Sequence, residues 1–277
     1  MAAPHDNAMK PKLTEIRHVF LDMDGTIYHG GVLFPTTRPF LAFLESLGIG
    51  YTFLSNNSSY GHEEYVRRLA AFGIAVSASN FYISTDYAID YLRKRHPDVR
   101  RLYVLGMPCL HRALQEAGYS TLDSSPQAVV VGFDRQLTYD HLCRAAWFLR
   151  NGVPGIATHP DVFCPTDQQT WLVDCGAITA CLEKATNTRL KVLGKPDPGM
   201  LVAAAARKGC TPSQVLMCGD RLSTDIAIGI NAGALTCHVA TPGADLTPPA
   251  GIVPDFTVNN LGELQATWES MLGRTAP

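Results

Sequence analysis

The chain alternates almost throughout between short apolar runs and amphipathic stretches, and few architectures accept that rhythm. The apolar runs stand at 18–21, 51–54, 102–105, 128–131, 155–157, 215–218 and 235–239, each too short for a buried helix. Between them, "RPFLAFLESLG", "GHEEYVRRLAAFG", "CLHRALQEAGY" and "YDHLCRAAWFLRNG" carry apolar residues at helical spacing, several closed by glycine. Strand–helix alternation of this kind predicts an α/β fold, a doubly wound, mainly parallel sheet covered by helices. Such sheets take their ligands beyond the carboxyl ends of the strands.

The polar clusters fall in that position. "DMDGT" follows the first run, "SNNSS" the second and "GDRLSTD" the run at 215, while "GKPDP" leads into the helix that opens at Pro198. Four loops on one sheet edge predict one shared pocket. The segment 85–186 carries three strand signals of its own, so it is expected to be an inserted α/β cap domain between two core parts, 1–84 and 187–277. Residues 1–13, "MAAPHDNAMKPKL", read as a loose tail without the apolar middle of a signal peptide.

Composition narrows the partners. A net charge of −2 over 277 residues gives no support for a nucleic-acid or membrane-surface partner, both of which usually need a basic patch. No apolar run approaches the ~18–20 residues of a membrane-spanning helix. The eight cysteines include no C-x-x-C pair, which argues against a zinc site and fits a reduced, cytoplasmic setting.

Asp22, Asp24, Asp220 and Asp225, gathered at one edge, repel one another unless a cation joins them. All-oxygen ligation with room for a phosphate suits Mg²⁺. Lys195 supplies a fixed positive charge and Ser55 a hydroxyl, and loop amides add donors, so the set is built for a phosphoryl group. An aspartate can attack phosphorus to give an aspartyl-phosphate, and a second carboxylate can protonate the leaving oxygen and then activate water. Gly25 permits a tight turn at the end of the first strand, and Thr26 is expected to hydrogen-bond Asp24.

"VFLDMDGT", "FLSNN", "LGKPDP" and "MCGDRLSTDIAIGINAG" resemble, in order and spacing, the four motifs of the haloacid dehalogenase-like phosphatases. "VVGFDRQLTYDHL" and "ATHPDVFCPT" look like the large α/β cap of the NagD-like, or p-nitrophenylphosphatase-like, branch. The resemblance covers about residues 17–245 and implies a Rossmann-like core. It implies Asp22 as nucleophile and Asp24 as general acid/base. Ser55 and the amides of Met23, Asp24 and Asn56 would bind the phosphoryl group, and Lys195 would neutralise it. Mg²⁺ would be held by Asp22, Asp220 and the backbone carbonyl of Asp24, with Asp225 acting through water. The substrate implied is a small phosphorylated metabolite, such as a sugar phosphate or a nucleotide. A homodimer through the caps is compatible with the resemblance.

Three stretches depart from the family pattern. His159 stands where asparagine is usual, "TDQQTWLVDCGAI" replaces a small, glycine-rich stretch, and "VATPGADLT" is longer and contains proline. The first two belong to the cap and bear on the substrate. His159 and Asp161 are candidate specificity residues, with further contacts expected from 158–161 and 106–109. Trp171 is expected in the cap core or an interface, and Asn231 and Gly233 at a helix end. The same residues also suit a phosphotransferase or mutase, or a non-catalytic sugar- or nucleotide-binding regulator.

Overall fold

The computed structural model describes residues 13–165, 169–241 and 250–273. Six parallel strands form the larger sheet, in the order Phe256–Val258, Leu235–Val239, Val215–Gly219, His18–Leu21, Gly50–Ser55, Phe81–Ile83. His18–Leu21 lies at its centre, between Val215–Gly219 and Gly50–Ser55. Chain order therefore reverses at this strand, which puts a crevice at its carboxyl end, where Asp22 begins.

Both faces of the sheet are covered, and the period of two shows it. Val19 and Leu21 join one apolar cluster with Phe53, Leu216 and Cys218, whereas Phe20 joins another with Leu54, Val215 and Met217. Trp268 and Phe43 close the first face edge to face, with ring centres 6.0 Å apart. Full burial of the first strand leaves it no rotational or register freedom, so the position of Asp22 is fixed by the core behind it.

A second sheet of four parallel strands runs Lys191–Val192, Gly155–Ala157, Ala128–Val131, Leu102–Leu105. This is the separate α/β cap. Two elements tie the core and the cap across the expected boundaries at 85 and 186. Helix Ser84–Arg95 is bound to core helix Pro198–Arg207 through Arg207, whose Nη2 lies 2.7 Å from Asp90 Oδ1 and whose Nε lies 3.0 Å from Oδ2. The cap sheet takes its edge strand from Lys191–Val192, beyond residue 186. Neither was legible in the sequence, for different reasons: the strand has only two residues, and the helix packs on core and cap alike.

Other expectations are corrected by what surrounds each residue. Leu13, assigned to the tail, is fully buried in a short 3-10 turn, while residues 1–12 lie outside the described residues. Most of "VATPGADLT" lies outside them too. Trp171 is 60% exposed on the antiparallel hairpin Phe163–Pro165/Trp171–Val173, its ring stacked on Phe163 at 4.4 Å, so it is not in the cap core. Gly233 ends helix Ala227–Ala232 in the left-handed conformation, as expected. All eight cysteines remain thiols. Among the described residues no helix is long and apolar enough to cross a membrane.

His18, which opens the central strand, is buried, with its Nε2 2.8 Å from Thr52 Oγ1. Burial, and after it the charge of Lys208, pushes its imidazole down to about 4. The native state therefore keeps His18 neutral, while the unfolded chain takes up a proton below about pH 6.5. Stability falls as pH drops from 6.5 towards 4, by about 3 kcal/mol in all from this group. Denaturant unfolding across that range is expected to show a shallower acid-side loss in His18→Gln than in the wild type, and equal slopes would contradict this account.

Candidate active site

The site begins with how the first strand ends. Asp22 N donates to Cys218 O at 2.8 Å, continuing the parallel ladder one residue past the strand and fixing the aspartate against Val215–Gly219. The chain then turns on Gly25, at φ +87°, with Gly25 N donating to Tyr28 O at 2.7 Å. A Cβ there would sit 2.0 Å from Asp220 Oδ2, so the glycine makes room for a carboxylate as well as for the turn. Thr241 Oγ1 donates to the Gly25 carbonyl at 2.5 Å.

Two further loops are fastened to each other. Lys195 N donates to Asn56 Oδ1 at 2.7 Å, and Asn56 Nδ2 donates to Lys195 O at 3.0 Å, an amide clasp between "SNN" and "GKP". Gly194, at φ +78°, passes so close that a Cβ would lie 2.8 Å from Asn56 Oδ1 and 2.9 Å from His159 Cβ. The helix after "GKPDP" is started by Asp197, whose Oδ1 accepts from Gly199 N at 2.9 Å, with Pro198 in its first turn. Asn231 Nδ2 donates to Pro196 O at 3.2 Å, so the helix-end asparagine also steadies this loop.

These fastenings deliver the Lys195 ammonium into the carboxylates. Its Nζ lies 2.5 Å from Asp22 Oδ1, donates to Leu54 O at 3.1 Å, and stands 2.7 Å from Asp225 Oδ1 in an ion pair without hydrogen-bond alignment. Asp225 reaches this place because Leu222–Ile226 makes a π-helical turn, with Ile226 N donating to Arg221 O. Its Oδ2 accepts from Arg221 N at 3.1 Å. Burial lowers an ammonium, but Asp22 and Asp225 outweigh it and hold Lys195 above its usual range.

Asp22, Asp220 and Asp225 each offer an oxygen within 4.8 Å of the other two. Burial pushes Asp22 up to about 7, helped by the charge of Asp225 and opposed by Lys195. Burial likewise pushes Asp220 up to about 8, with Asp22 and Asp225 adding to it. Asp220 Oδ1 is buried and has no hydrogen-bond partner. The Lys195 ammonium and the neighbouring Arg221 guanidinium together do not balance three carboxylates. A buried, unpartnered oxygen facing two others is a donor set that fits a hard divalent cation.

A cavity of about 300 Å³ opens over this cluster. Asp22, Met23, Asp24, Ser55, Asn56, Lys195, Asp220, Asp225 and Asp161 all line it. Their parts differ. The Met23 side chain is buried in the core, so it faces the cavity through backbone, and the Asn56 side chain is taken up by Lys195. Ser55 Oγ accepts from Asn57 N at 3.2 Å and sits 3.3 Å from Tyr65 OH. Asp24 lies outside the carboxylate cluster: its side chain is 61% exposed at the mouth, 3.3 Å from His29 Nδ1. The expected bond from Thr26 to Asp24 is absent; Thr26 Oγ1 is buried without a partner.

His159 does not reach the cavity. It is fully buried, with Nε2 2.9 Å from Asp174 Oδ1 and Nδ1 2.9 Å from Thr158 Oγ1. Asp161, two residues on, does line the wall, and so does Asp174, which the sequence reading marked only as part of the departing stretch 166–178 and not as a residue of its own. Residues 106–109 also lie off the wall, with Cys109 Sγ turned to Ser58 O at 3.6 Å. Arg221, Arg68 and Tyr65 were missed as well. Arg221 stood inside "GDRLSTD" and could have been read from its place between two site carboxylates; Arg68 and Tyr65 lie on helix His62–Ala71 and carried no local signal.

Two family models match the chain, "haloacid dehalogenase-like hydrolase" over residues 19–120 and "HAD-hydrolase-like" over residues 192–264. An acid sugar phosphatase of Staphylococcus aureus is 32% identical over 260 residues, covering 93% of this chain and all of that one. The structure resembles a 4-nitrophenylphosphatase from Thermotoga maritima, with a TM-score of 0.85, 36% identity, and coverage of 91% of this chain and 97% of that one. NagD from E. coli superposes with a TM-score of 0.82 at 30% identity, covering 90% and 98%.

Gly25 gives a direct check on this construction. Gly25→Ala places a methyl group 2.0 Å from Asp220 Oδ2 at a backbone angle alanine resists. Phosphatase turnover is expected to fall at least about a hundredfold, because a displacement of about 1 Å at reacting groups costs that much. Near-normal turnover in a steady-state assay would show that the loop and Asp220 are not so closely fitted.

Proposed function

The chain belongs to the haloacid dehalogenase-like hydrolases, in their NagD-like, p-nitrophenylphosphatase-like branch, and is a phosphatase of that type; on that premise we propose how its own residues hydrolyse a small phosphorylated metabolite. The observation that carries the proposal is the Lys195 ammonium between Asp22 and Asp225, beside the unpartnered oxygen of Asp220.

The phosphoryl group lies among Lys195 Nζ, Ser55 Oγ and the amides of Met23, Asp24 and Asn56. Asp22 attacks phosphorus, forming an aspartyl-phosphate as the ester P–O bond breaks, and Asp24 gives its proton to the departing oxygen. Water, deprotonated by Asp24, then attacks phosphorus, releasing phosphate and restoring the Asp22 carboxylate. Asp24 suits both steps because it stands at the mouth, on the side where an alcohol leaves and water enters. Mg²⁺ would be held by Asp22, Asp220, the Asp24 carbonyl and Asp225. When bound, it neutralises the carboxylates and the phosphoryl oxygens. Asp225 also acts through Lys195, which its Oδ1 steadies directly.

The substrate we propose is a sugar or polyol phosphate. A cavity of about 300 Å³ suits a small molecule, and a relative similar along its whole length is named an acid sugar phosphatase. Hydrolysis is favoured over transfer to a second sugar because the described cap and core residues leave about 300 Å³ over the reacting groups, room for one small molecule.

The assignment of Asp24 is tested by the leaving group. Nitrophenolate departs without a proton, whereas a sugar alkoxide needs one. Asp24→Asn is therefore expected to reduce kcat about a hundredfold or more for a sugar phosphate, and markedly less for the first turnover of p-nitrophenyl phosphate. Equal losses in both, measured by single-turnover kinetics, would remove Asp24 as the acid.

A further inference from the structure

Two departures from the family pattern lie 15 residues apart in sequence, and the structure joins them with one hydrogen bond, His159 Nε2 to Asp174 Oδ1 at 2.9 Å. Both residues are buried, His159 completely, yet Asp174 forms part of the cavity wall. Asp174 is positioned from behind. Its Oδ1 also accepts from Cys175 N at 2.6 Å, starting helix Cys175–Thr186 as its N-cap. His159 is fixed in turn: Nδ1 meets Thr158 Oγ1 at 2.9 Å, and Thr158 Oγ1 lies 3.4 Å from Ser58 Oγ, in the core loop that carries Ser55. Whichever way the Thr158 hydroxyl turns, the proton on Nε2 faces the carboxylate.

Both bonds to the Asp174 carboxylate go to one oxygen. Among the described residues, Oδ2 has no hydrogen-bond partner. The described cap residues on the wall are Asp161, Phe163, Cys164 and Asp174, with no lysine, arginine or histidine among them. The Asp161 carboxylate is already engaged by Asn56 Nδ2 at 3.4 Å. The cavity's lysine and arginines all come from the core, and each is already engaged: Lys195 by carboxylates, Arg68 by Gly30 O and the Tyr28 ring, and Arg221 by the charges of Asp220, Asp22 and Asp161. A leaving group meeting this cap therefore meets negative charge and a free acceptor.

We propose that Asp174 is a specificity-determining residue that accepts a hydrogen bond from a hydroxyl of the leaving group, and that His159 is the positioning residue that aims it. The pair favours uncharged, hydroxyl-bearing phosphomonoesters and rejects those whose leaving group carries a carboxylate. This rests on the phosphatase reading and adds to it the feature the cap selects.

The test compares kcat/KM for three probes: the best of a panel of sugar and polyol phosphates, phosphoglycolate, and p-nitrophenyl phosphate. Asp174→Asn keeps an oxygen for His159 and Cys175 and turns the free acceptor into a donor. The ratio of kcat/KM for the polyol phosphate to that for phosphoglycolate is expected to fall at least about tenfold, chiefly through KM. His159→Leu is expected to shift the ratio in the same direction, and His159→Gln, which can keep an N–H towards Asp174, to recover most of it. Parallel losses on all three probes, with the ratio constant, would mean a purely structural pair and overturn the proposal. Wild-type turnover of the panel with the ratio unmoved in Asp174→Asn would overturn the pair alone. Turnover of p-nitrophenyl phosphate with no sugar or polyol phosphate hydrolysed by the wild type would overturn both the pair and the proposed substrate class.

Discussion

One buried ammonium organises this molecule. Lys195 is withdrawn from solvent, and a charge in that position is tolerated only when opposite charges and hydrogen bonds surround it closely. Asp22 comes from the end of the central strand, Leu54 O from the strand beside it, and Asp225 from the turn after Val215–Gly219. Removing one partner of such a pair costs about 3–5 kcal/mol, because the survivor is left buried and unpaired. The need to satisfy one cation thus fixes the relative places of three loops. The Asn56 clasp, which holds Lys195 by its backbone, completes the arrangement. The same residues leave excess negative charge beside the ammonium, and that excess fits a hard divalent cation, which in the proposed reaction screens the carboxylates from an anionic phosphoryl group.

The parts of this site legible in the sequence were those whose signal is local. A buried strand that ends in "DMDGT" states both the turn and the carboxylate, and "GKPDP" states the proline and the N-cap of the next helix. Strands with both faces buried also read clearly, since they are short continuous apolar runs. Three of the four edge strands of the two main sheets were lost, Phe81–Ile83, Lys191–Val192 and Phe256–Val258, which have two or three residues each, whereas the four-residue edge Leu102–Leu105 was read.

The cap was harder to read because its site is made by pairing at a distance. His159 sits two residues from Asp161, and proximity suggested that both face the substrate. The strand Gly155–Ala157 instead feeds His159 inwards, where Asp174 accepts it, and the chain turns outwards only afterwards. Trp171 misled in the opposite sense. It was expected in the cap core or an interface, but it stands 60% exposed on its hairpin, with its ring stacked on Phe163. The division of labour arises from this pairing. In the reaction proposed, core loops locked by charge carry the chemistry, while the cap contributes a wall whose polar residues, Asp161 and Asp174, face the same cavity.

The claim on which the rest depends is that Asp22, held by Lys195, is the atom donor that captures phosphorus. Its most direct test is to quench the enzyme during turnover, reduce the acyl-phosphate with borohydride, and map the altered residue by peptide mass. The account predicts reduction at Asp22 alone, in wild-type enzyme exposed to substrate. Labelling at any other residue, or an unmodified Asp22 peptide under conditions where phosphate is released, would contradict it.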